Sequence, residues 1–349
     1  MHVISALFLF MPSYQTTLYM LWSLALSGYP VKRILEVENT LISFLASPKP
    51  WTGVALQHQE NAVKSWLAVH PDVEVILYGD APGTTEASVR IGVQHIPGIT
   101  STPQGVPYFG AIADHAAIHA RYDIQCYVNC DILFTKDILN ALKHIPFTRF
   151  LLIGQRIDLA EGAAIDATEP DILDQLRHFA EKGMAQLHPP AGSDYFIFPR
   201  GIWAGLPKLV IGRGGYDGAL IAFCLSIKIP VVDATLMVIA IHQFHGYEHV
   251  PGGKKEVFNS EDSALNSVLL RGYNGLALQD ANWIMTGTNL EKNLSRGDYL
   301  RGLHVHYHFI HKNLMVASLI GFLRRISFRL RISQGYDIEI ESILKIKGG

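Results

Sequence analysis

Between residues 41 and 135, short apolar runs alternate with stretches whose apolar positions recur every three to four residues. Residues 41–45 (LISFL) read as a first strand, closed by Ala46-Ser47-Pro48-Lys49-Pro50, which neither continues a strand nor opens a regular helix. From 57 to 69, Ala62, Ser65, Trp66 and Val69 share helical spacing, and His70-Pro71-Asp72 ends that segment. Residues 73–78 (VEVILY) are nearly continuous in apolar, β-branched side chains, the pattern of a parallel strand buried on both faces. Gly79-Asp80-Ala81-Pro82-Gly83 is its turn. Further strands are expected at 93–96 and 125–128, separated by a Gly/Pro-rich loop over 97–107 and a helix over 108–120.

Such alternation predicts an α/β fold with a mostly parallel, doubly wound central sheet flanked by helices. Ligands of these sheets sit beyond the carboxyl ends of the strands. Lys49, Asp80 and Asp131 all fall at such ends, so three loops are expected to meet at one cleft. Beyond Lys136 the pattern is mixed, with helices expected at 137–144, 171–182 and 218–226 and strands at 150–154, 195–198 and 229–232. A strand-like stretch at 236–241 follows, and there is neither an internal repeat nor a low-complexity tract.

Composition narrows the class. The 349 residues are 49% hydrophobic and 17% charged, ample for a full core, and suit one large domain with extensions. A formal net charge of -2 gives no whole-molecule attraction for a phosphate backbone, so nucleic acid is not expected as a partner. Cys126, Cys130 and Cys224 are odd in number and lack CxxC spacing, which fits a reducing, cytoplasmic compartment.

Two apolar segments bear on membranes. Residues 3–11 and 18–26 are each shorter than the roughly 20 apolar residues of a spanning helix, and no basic region precedes them. Residues 1–39 are therefore read as an N-terminal extension, helical or packed on the core, in preference to an anchor. Residues 314–323 (LMVASLIGFL) lead into Arg324, Arg325, Arg329 and Arg331. That segment, 314–332, suits either an interfacial helix on anionic lipid or a C-terminal helix packed on the domain.

The chemistry-bearing residues begin with Asn129-Cys130-Asp131, a carboxylate set at a strand end and followed by Ile132-Leu133-Phe134. A charge in apolar surroundings is costly unless paired or bound to a metal, and Mn²⁺ or Mg²⁺ bridging Asp131 to a diphosphate would justify it. The alternative is an Asp that caps the next element. Residues 241–254 (IHQFHGYEHVPGGK) hold three histidines and a Gly-Gly-Lys, imidazoles for a metal and a permissive backbone with one cation for phosphate. His242 and His245 are three apart, so a strand would turn them to opposite faces, and only a turn brings both to one ion. Asp194, before an apolar strand, and Asp217, after Gly212-Arg213-Gly214-Gly215, are the acids available to activate an acceptor, with an N-cap as the other reading of Asp217. Arg156 reaches a ligand rim or pairs with Asp158; Lys49 reaches phosphate or solvent; Asp80 holds a nucleotide or forms its own turn.

The phrase Tyr127-Val128-Asn129-Cys130-Asp131-Ile132-Leu133 resembles the Asp-x-Asp turn of the Rossmann-like GT-A glycosyltransferases. The resemblance covers roughly residues 40–255, is supported by Pro199-Arg200-Gly201, Asp217 and the histidine-rich stretch, and points to a bacterial-type family of mostly unassigned acceptor. It implies a nucleoside-diphosphate sugar donor and a divalent metal, with a glycan, lipid-linked or protein acceptor. By its position Asp80 would hold the base or ribose, and His242 or His245 would complete the metal shell. Lys49, Asn129, Arg156 and Lys254 would border the donor, Asp217 would serve as base and Asp194 would hold sugar. Asn129 replaces the first acid, which leaves Asp131 most of the coordination. Residues 256–349 are expected to form a helical extension. Two other readings share this architecture. One is a non-catalytic binding or scaffold protein at a membrane surface; the other is a sugar-nucleotide pyrophosphorylase, whose glycine- and arginine-rich loop is missing after the first strand.

Overall fold

The computed structural model describes residues 41–169, 171–245, 260–271, 276–293, 299–329 and 338–346. The expected extension over 1–39, Lys254 with its glycines, and Arg331 lie outside the described residues.

Thirteen strands are described: β1 (Ile42–Ala46), β2 (Glu74–Tyr78), β3 (Gln94–Ile96), β4 (Ile124–Val128), β5 (Ile132–Phe134), β6 (Leu151–Ile153), β7 (Ile157–Leu159), β8 (Ala185–Leu187), β9 (Tyr195–Pro199), β10 (Val231–Asp233), β11 (Ala240–His242), β12 (Trp283–Thr286) and β13 (Asn289–Lys292). The helices are α1 (Gly53–Leu67), α2 (Thr84–Ile91), α3 (Phe109–His119), α4 (Asp137–Lys143), α5 (Ile172–Glu181), α6 (Tyr216–Ser226), α7 (Glu261–Leu270), α8 (Tyr299–Val305), α9 (Leu314–Arg329) and α10 (Ile340–Ile346).

Among the described residues, nine strands form one sheet in the order β13-β12-β10-β6-β9-β4-β1-β2-β3. Five of its neighbouring pairs are parallel: β12 with β10, β10 with β6, β4 with β1, β1 with β2, and β2 with β3. The chain is thus an α/β protein with a mostly parallel sheet flanked by helices, as its alternating pattern predicts. Apolar layers cover both faces, which explains the unbroken apolar runs. Phe44, Cys126 and Ile197 pack with Val63 and Trp66 of α1 on one face. Leu45, Tyr127, Phe196 and Phe198 pack with Phe109 of α3 and Leu220 of α6 on the other. Each fully buried side chain of this size contributes about 1.5–3 kcal/mol.

One strand runs against the rest of the sheet's middle. β9 lies antiparallel between β4 and β6, with Tyr195 beside Val128, so β9 begins at the rim where β4 ends. A smaller sheet, β5-β11-β7-β8, is laid beside that rim. β5 is held on α1 by the Trp66 indole, which donates to the Ile132 carbonyl at 2.8 Å, and by the Ser65 hydroxyl, which accepts from the Phe134 amide at 3.1 Å.

Several elements depart from the sequence pattern. The stretch expected as a strand over 236–241 pairs only at Ala240–His242. Helix α2 and strands β5, β7 and β8 have no counterpart in that reading; the three strands are of three residues each, too short to display a period of two. The segment after residue 255 is also more than helical: β12 and β13 extend the main sheet past β10. β12 is itself an apolar, tryptophan-containing run, WIMT, which only pairing with β10 distinguishes from a helix segment.

Candidate functional site

β4 ends at Val128 and β5 begins at Ile132, and the turn between them is closed by the Ile132 amide donating to the Asn129 carbonyl at 3.1 Å. The turn sets the Asp131 side chain, 9% exposed, against the start of β5. Its Oδ2 accepts from the Lys49 ammonium at 2.9 Å and lies 3.0 Å from His245 Nε2. Its Oδ1 is buried and has no hydrogen-bond partner among the described residues. Burial would push this carboxyl up, but the Lys49 ammonium, the hydrogen bond with His245 and the neighbouring His242 hold it well below the usual carboxylate range.

Both histidines reach this carboxylate because β11 stops at His242 and the chain then turns. Buried Gln243 fixes that turn: its backbone amide and its side-chain amide both donate to the Asp131 carbonyl at 3.2 Å, and its side chain also donates to the His58 carbonyl at 2.9 Å. The Nε2 atoms of His242 and His245 are 3.3 Å apart. On its other side His242 Nδ1 lies 3.2 Å from Asp158 Oδ1, an arrangement that fixes the ring and leaves Nε2 as the lone-pair atom.

One carboxylate and two imidazoles, with ligand atoms all within 4.8 Å of one another, make a donor set that a divalent cation fits. Bonds near 2 Å span about 4 Å across an ion, so a small closure suffices. The buried Asp131 Oδ1 supplies an acceptor that no described residue uses.

A polar chain runs from these groups to the acids expected to serve the acceptor. Asp158 on β7 takes hydrogen bonds from His188 Nδ1 at 2.6 Å and from Arg156 Nε at 2.7 Å. Burial would raise the Asp158 carboxyl, and His188, His242 and Arg156 together draw it far down. Arg156 also pairs with Asp194, whose other oxygen accepts from the Asn129 side-chain amide at 2.7 Å. The Asp217 carboxylate, one residue into α6, accepts from the Ser193 amide at 3.2 Å. Asp217 is half-buried as a residue, and burial of its carboxyl pushes its pKa up against the pull of the Gly218 and Ser193 amides.

Lys49, Asn129, Asp131, Arg156, Asp194, Asp217, His242 and His245 thus form one contiguous group. The structure gives Arg156 the role of an ion pair with Asp158 and Asp194, and gives Asn129 that of a clamp on Asp194. Asp80 stands apart from the group: it is exposed, and its Oδ1 accepts from the Gly98 amide at 2.9 Å, as a turn residue does.

Sequence reasoning missed four contributors. His58 on α1 has its ring 6.4 Å from that of His245, and burial together with the charge of His245 lowers its pKa. Asp158, His188 and Gln243 were not singled out as ligand-orienting groups. Asp158 and His188 lie on or beside three-residue strands, and only the pairing of β7 with β8 and β11 brings them together.

No protein-family model and no curated protein matches the chain. Among solved structures it is similar to glucosyl-3-phosphoglycerate synthase from Mycobacterium tuberculosis in complex with Mn²⁺, UDP-glucose and phosphoglyceric acid, at 15% identity and a TM-score of 0.39, over 69% of this chain and 84% of that one. The synthase in complex with Mg²⁺ and UDP gives 15% and 0.34, over 62% and 77%. A mannosyltransferase from Pyrobaculum calidifontis in complex with GDP-Man and Mn²⁺ gives 14% and 0.38, over 69% and 66%. With such remote likenesses, the functional reading rests on this chain's own side chains.

Proposed function

We propose that the chain is a metal-assisted glycosyltransferase that moves a sugar from a nucleoside diphosphate to an acceptor hydroxyl. The observation that carries this reading is the convergence of Asp131, with its unpartnered buried oxygen, on His242 and His245 at the carboxyl-end rim of the parallel strands. Asp131, His242 and His245 would hold Mn²⁺ or Mg²⁺, which when bound supplies charge stabilisation for the departing diphosphate. Asp158 keeps His242 in the ligating orientation. Lys49 and Lys254 supply cations to the diphosphate, and Asp80 borders the nucleotide.

Asp194, held by Asn129 and Arg156, would accept hydrogen bonds from sugar hydroxyls. In an inverting transfer the acceptor oxygen bonds to the anomeric carbon and its proton passes to the Asp217 carboxylate. The bond from that carbon to the phosphate oxygen breaks, and the nucleoside diphosphate leaves with the electron pair. A carboxyl whose pKa burial has raised is a stronger base for this step than an exposed one.

The acceptor belongs on the side of Asp194 and Asp217. Helix α9 bears on its class, because Met315, Leu319, Phe322 and Ile326 leave an apolar stripe exposed, with Arg325 exposed at its end. Such a face suits docking to an anionic lipid surface and hence a lipid-linked acceptor. Among the described residues no helix is long and apolar enough to cross a membrane.

The test is release of nucleoside diphosphate from a panel of UDP- and GDP-sugars, with Mn²⁺ and with a chelator. Activity is expected only with the metal, and Asp131→Asn is expected to lower it by about a hundredfold or more. Calorimetry showing that neither UDP nor GDP binds in a metal-dependent way would overturn the reading.

A further inference from the structure

Among the described residues, the cation nearest to Asp131 is the Lys49 ammonium. Lys49 Nζ lies 2.9 Å from Asp131 Oδ2 and 3.3 Å from His245 Nε2, in contact with two of the three groups assigned to the metal. An ammonium and a divalent cation cannot share that space: Lys49 Nζ is only 3.3 Å from His245 Nε2, the atom that would bond the ion, and two cations that close repel strongly wherever water does not fully screen them. Metal at Asp131 and Lys49 at Asp131 are therefore alternative arrangements.

The loop carrying Lys49 is built so that the side chain alone must move. Its backbone amide donates to the Gln59 side chain at 2.6 Å, and the Gln59 amide donates back to the Lys49 carbonyl at 3.0 Å. Pro48 and Pro50 restrict the backbone on either side. The Lys49 side chain is 33% exposed, whereas that of Asp131 is 9% exposed, so the ammonium has an outlet into solvent and the carboxylate has none. Four methylenes let the charge leave without disturbing the clasp on α1.

We infer that Lys49 is an internal counter-cation that occupies the metal's place in the resting protein and transfers its charge to the ligand diphosphate when the metal enters. This rests on the metal centre proposed above and deepens it. Without a diphosphate, a divalent ion must displace an ammonium whose one ion pair among the described residues is with Asp131. With a diphosphate present, the displaced ammonium finds new negative charge, so each ligand lowers the cost of binding the other. Divalent metal and nucleoside diphosphate then bind with positive coupling, and Lys49 is the residue that couples them.

The experiment is titration of the full chain with Mn²⁺, followed by calorimetry and by the paramagnetic resonance signal of free Mn²⁺, with and without saturating UDP or GDP. Wild type, Lys49→Met, Lys49→Gln and Asp131→Asn are compared, with thermal unfolding to confirm that each is folded. In the absence of nucleotide both Lys49 variants are expected to bind Mn²⁺ at least about tenfold more tightly than wild type. Nucleotide is expected to tighten Mn²⁺ binding to wild type by at least about tenfold, and by less in the Lys49 variants. Equal or weaker Mn²⁺ binding by both Lys49 variants overturns the role of Lys49 while leaving the metal centre standing. If Asp131→Asn binds Mn²⁺ as well as wild type does, or if no variant binds it, the metal centre itself is wrong and this inference falls with it.

Discussion

Gly154, just after β6, is glycine for want of space. A Cβ there would lie 2.2 Å from the Tyr195 hydroxyl oxygen and 3.1 Å from the Thr235 amide nitrogen. Tyr195 is fully buried and its hydroxyl has no partner among the described residues, so the ring has nowhere to retreat. Gly154→Ala is expected to cost about 1–3 kcal/mol of stability in urea unfolding. Tyr195→Phe, which removes the clashing oxygen, should return most of that loss in the double variant; a double variant no more stable than Gly154→Ala would place the strain elsewhere. At this scale the sequence was uneven. Asp131 stood out because an acid follows an apolar strand, and the two histidines because they are close in the chain. His58 did not, and Asp158 was legible only as a partner of Arg156, since nothing local separates a His or Asp facing the candidate site from an ordinary surface one.

Among the elements, those lying in longer apolar runs or regular helical spacing were legible, the three-residue β3, β6 and β10 among them, and α2, β5, β7 and β8 were not. β1, β2, β4, α1 and α3 announce themselves through continuous apolar runs or helical spacing, whereas β5, β7 and β8 are three-residue pieces defined by their partners. The small sheet built from such pieces carries Asp158 and ends at His242, so the least visible elements position the candidate metal ligands. Helix α8 is tied to the body of the protein by a different device. Buried Arg301 donates through Nε to Asp280 Oδ1 at 2.6 Å and through its terminal nitrogen to the other oxygen. Replacing only one partner strands a buried charge, so Arg301→Leu is expected to destabilise the protein by about 3–5 kcal/mol in chemical denaturation. Changing both, with Asp280→Leu added, should recover much of that loss. If the double variant is no better, the pair contributes through packing and not through charge.

For the whole molecule, the mixture of apolar content and near-neutral charge leaves open what its surface meets, and α9 supplies the specific feature. Should its outer stripe dock on lipid, the protein will sediment with vesicles containing phosphatidylserine and remain in the supernatant with neutral ones at moderate salt. Met315→Ser with Phe322→Ser removes two large apolar chains from the stripe, and the bound fraction is expected to drop by roughly tenfold or more. Wild-type protein that never sediments would rule out the lipid surface. The doubly wound sheet was legible at this scale because both of its faces are covered and its strands are therefore unbroken apolar runs. Its extension through β12 and β13 was not, as pairing at a sheet edge leaves no mark beyond a few apolar residues.

The reversed direction of β9 carries a consequence for how such a protein diversifies. Parallel strands offer a ligand only the loops that leave them, and those loops here hold Lys49, Asp80 and Asp131. By running the other way, β9 brings an entering loop, with Ser193 and Asp194, to the same edge. In the proposed transferase, donor and acceptor would be served by stretches of chain that share an edge but not a connection. The entering loop could then lengthen or change its side chains to meet a new acceptor while the proposed nucleotide half kept its geometry, with Asn129 and Arg156, which both hold Asp194, keeping the two in register.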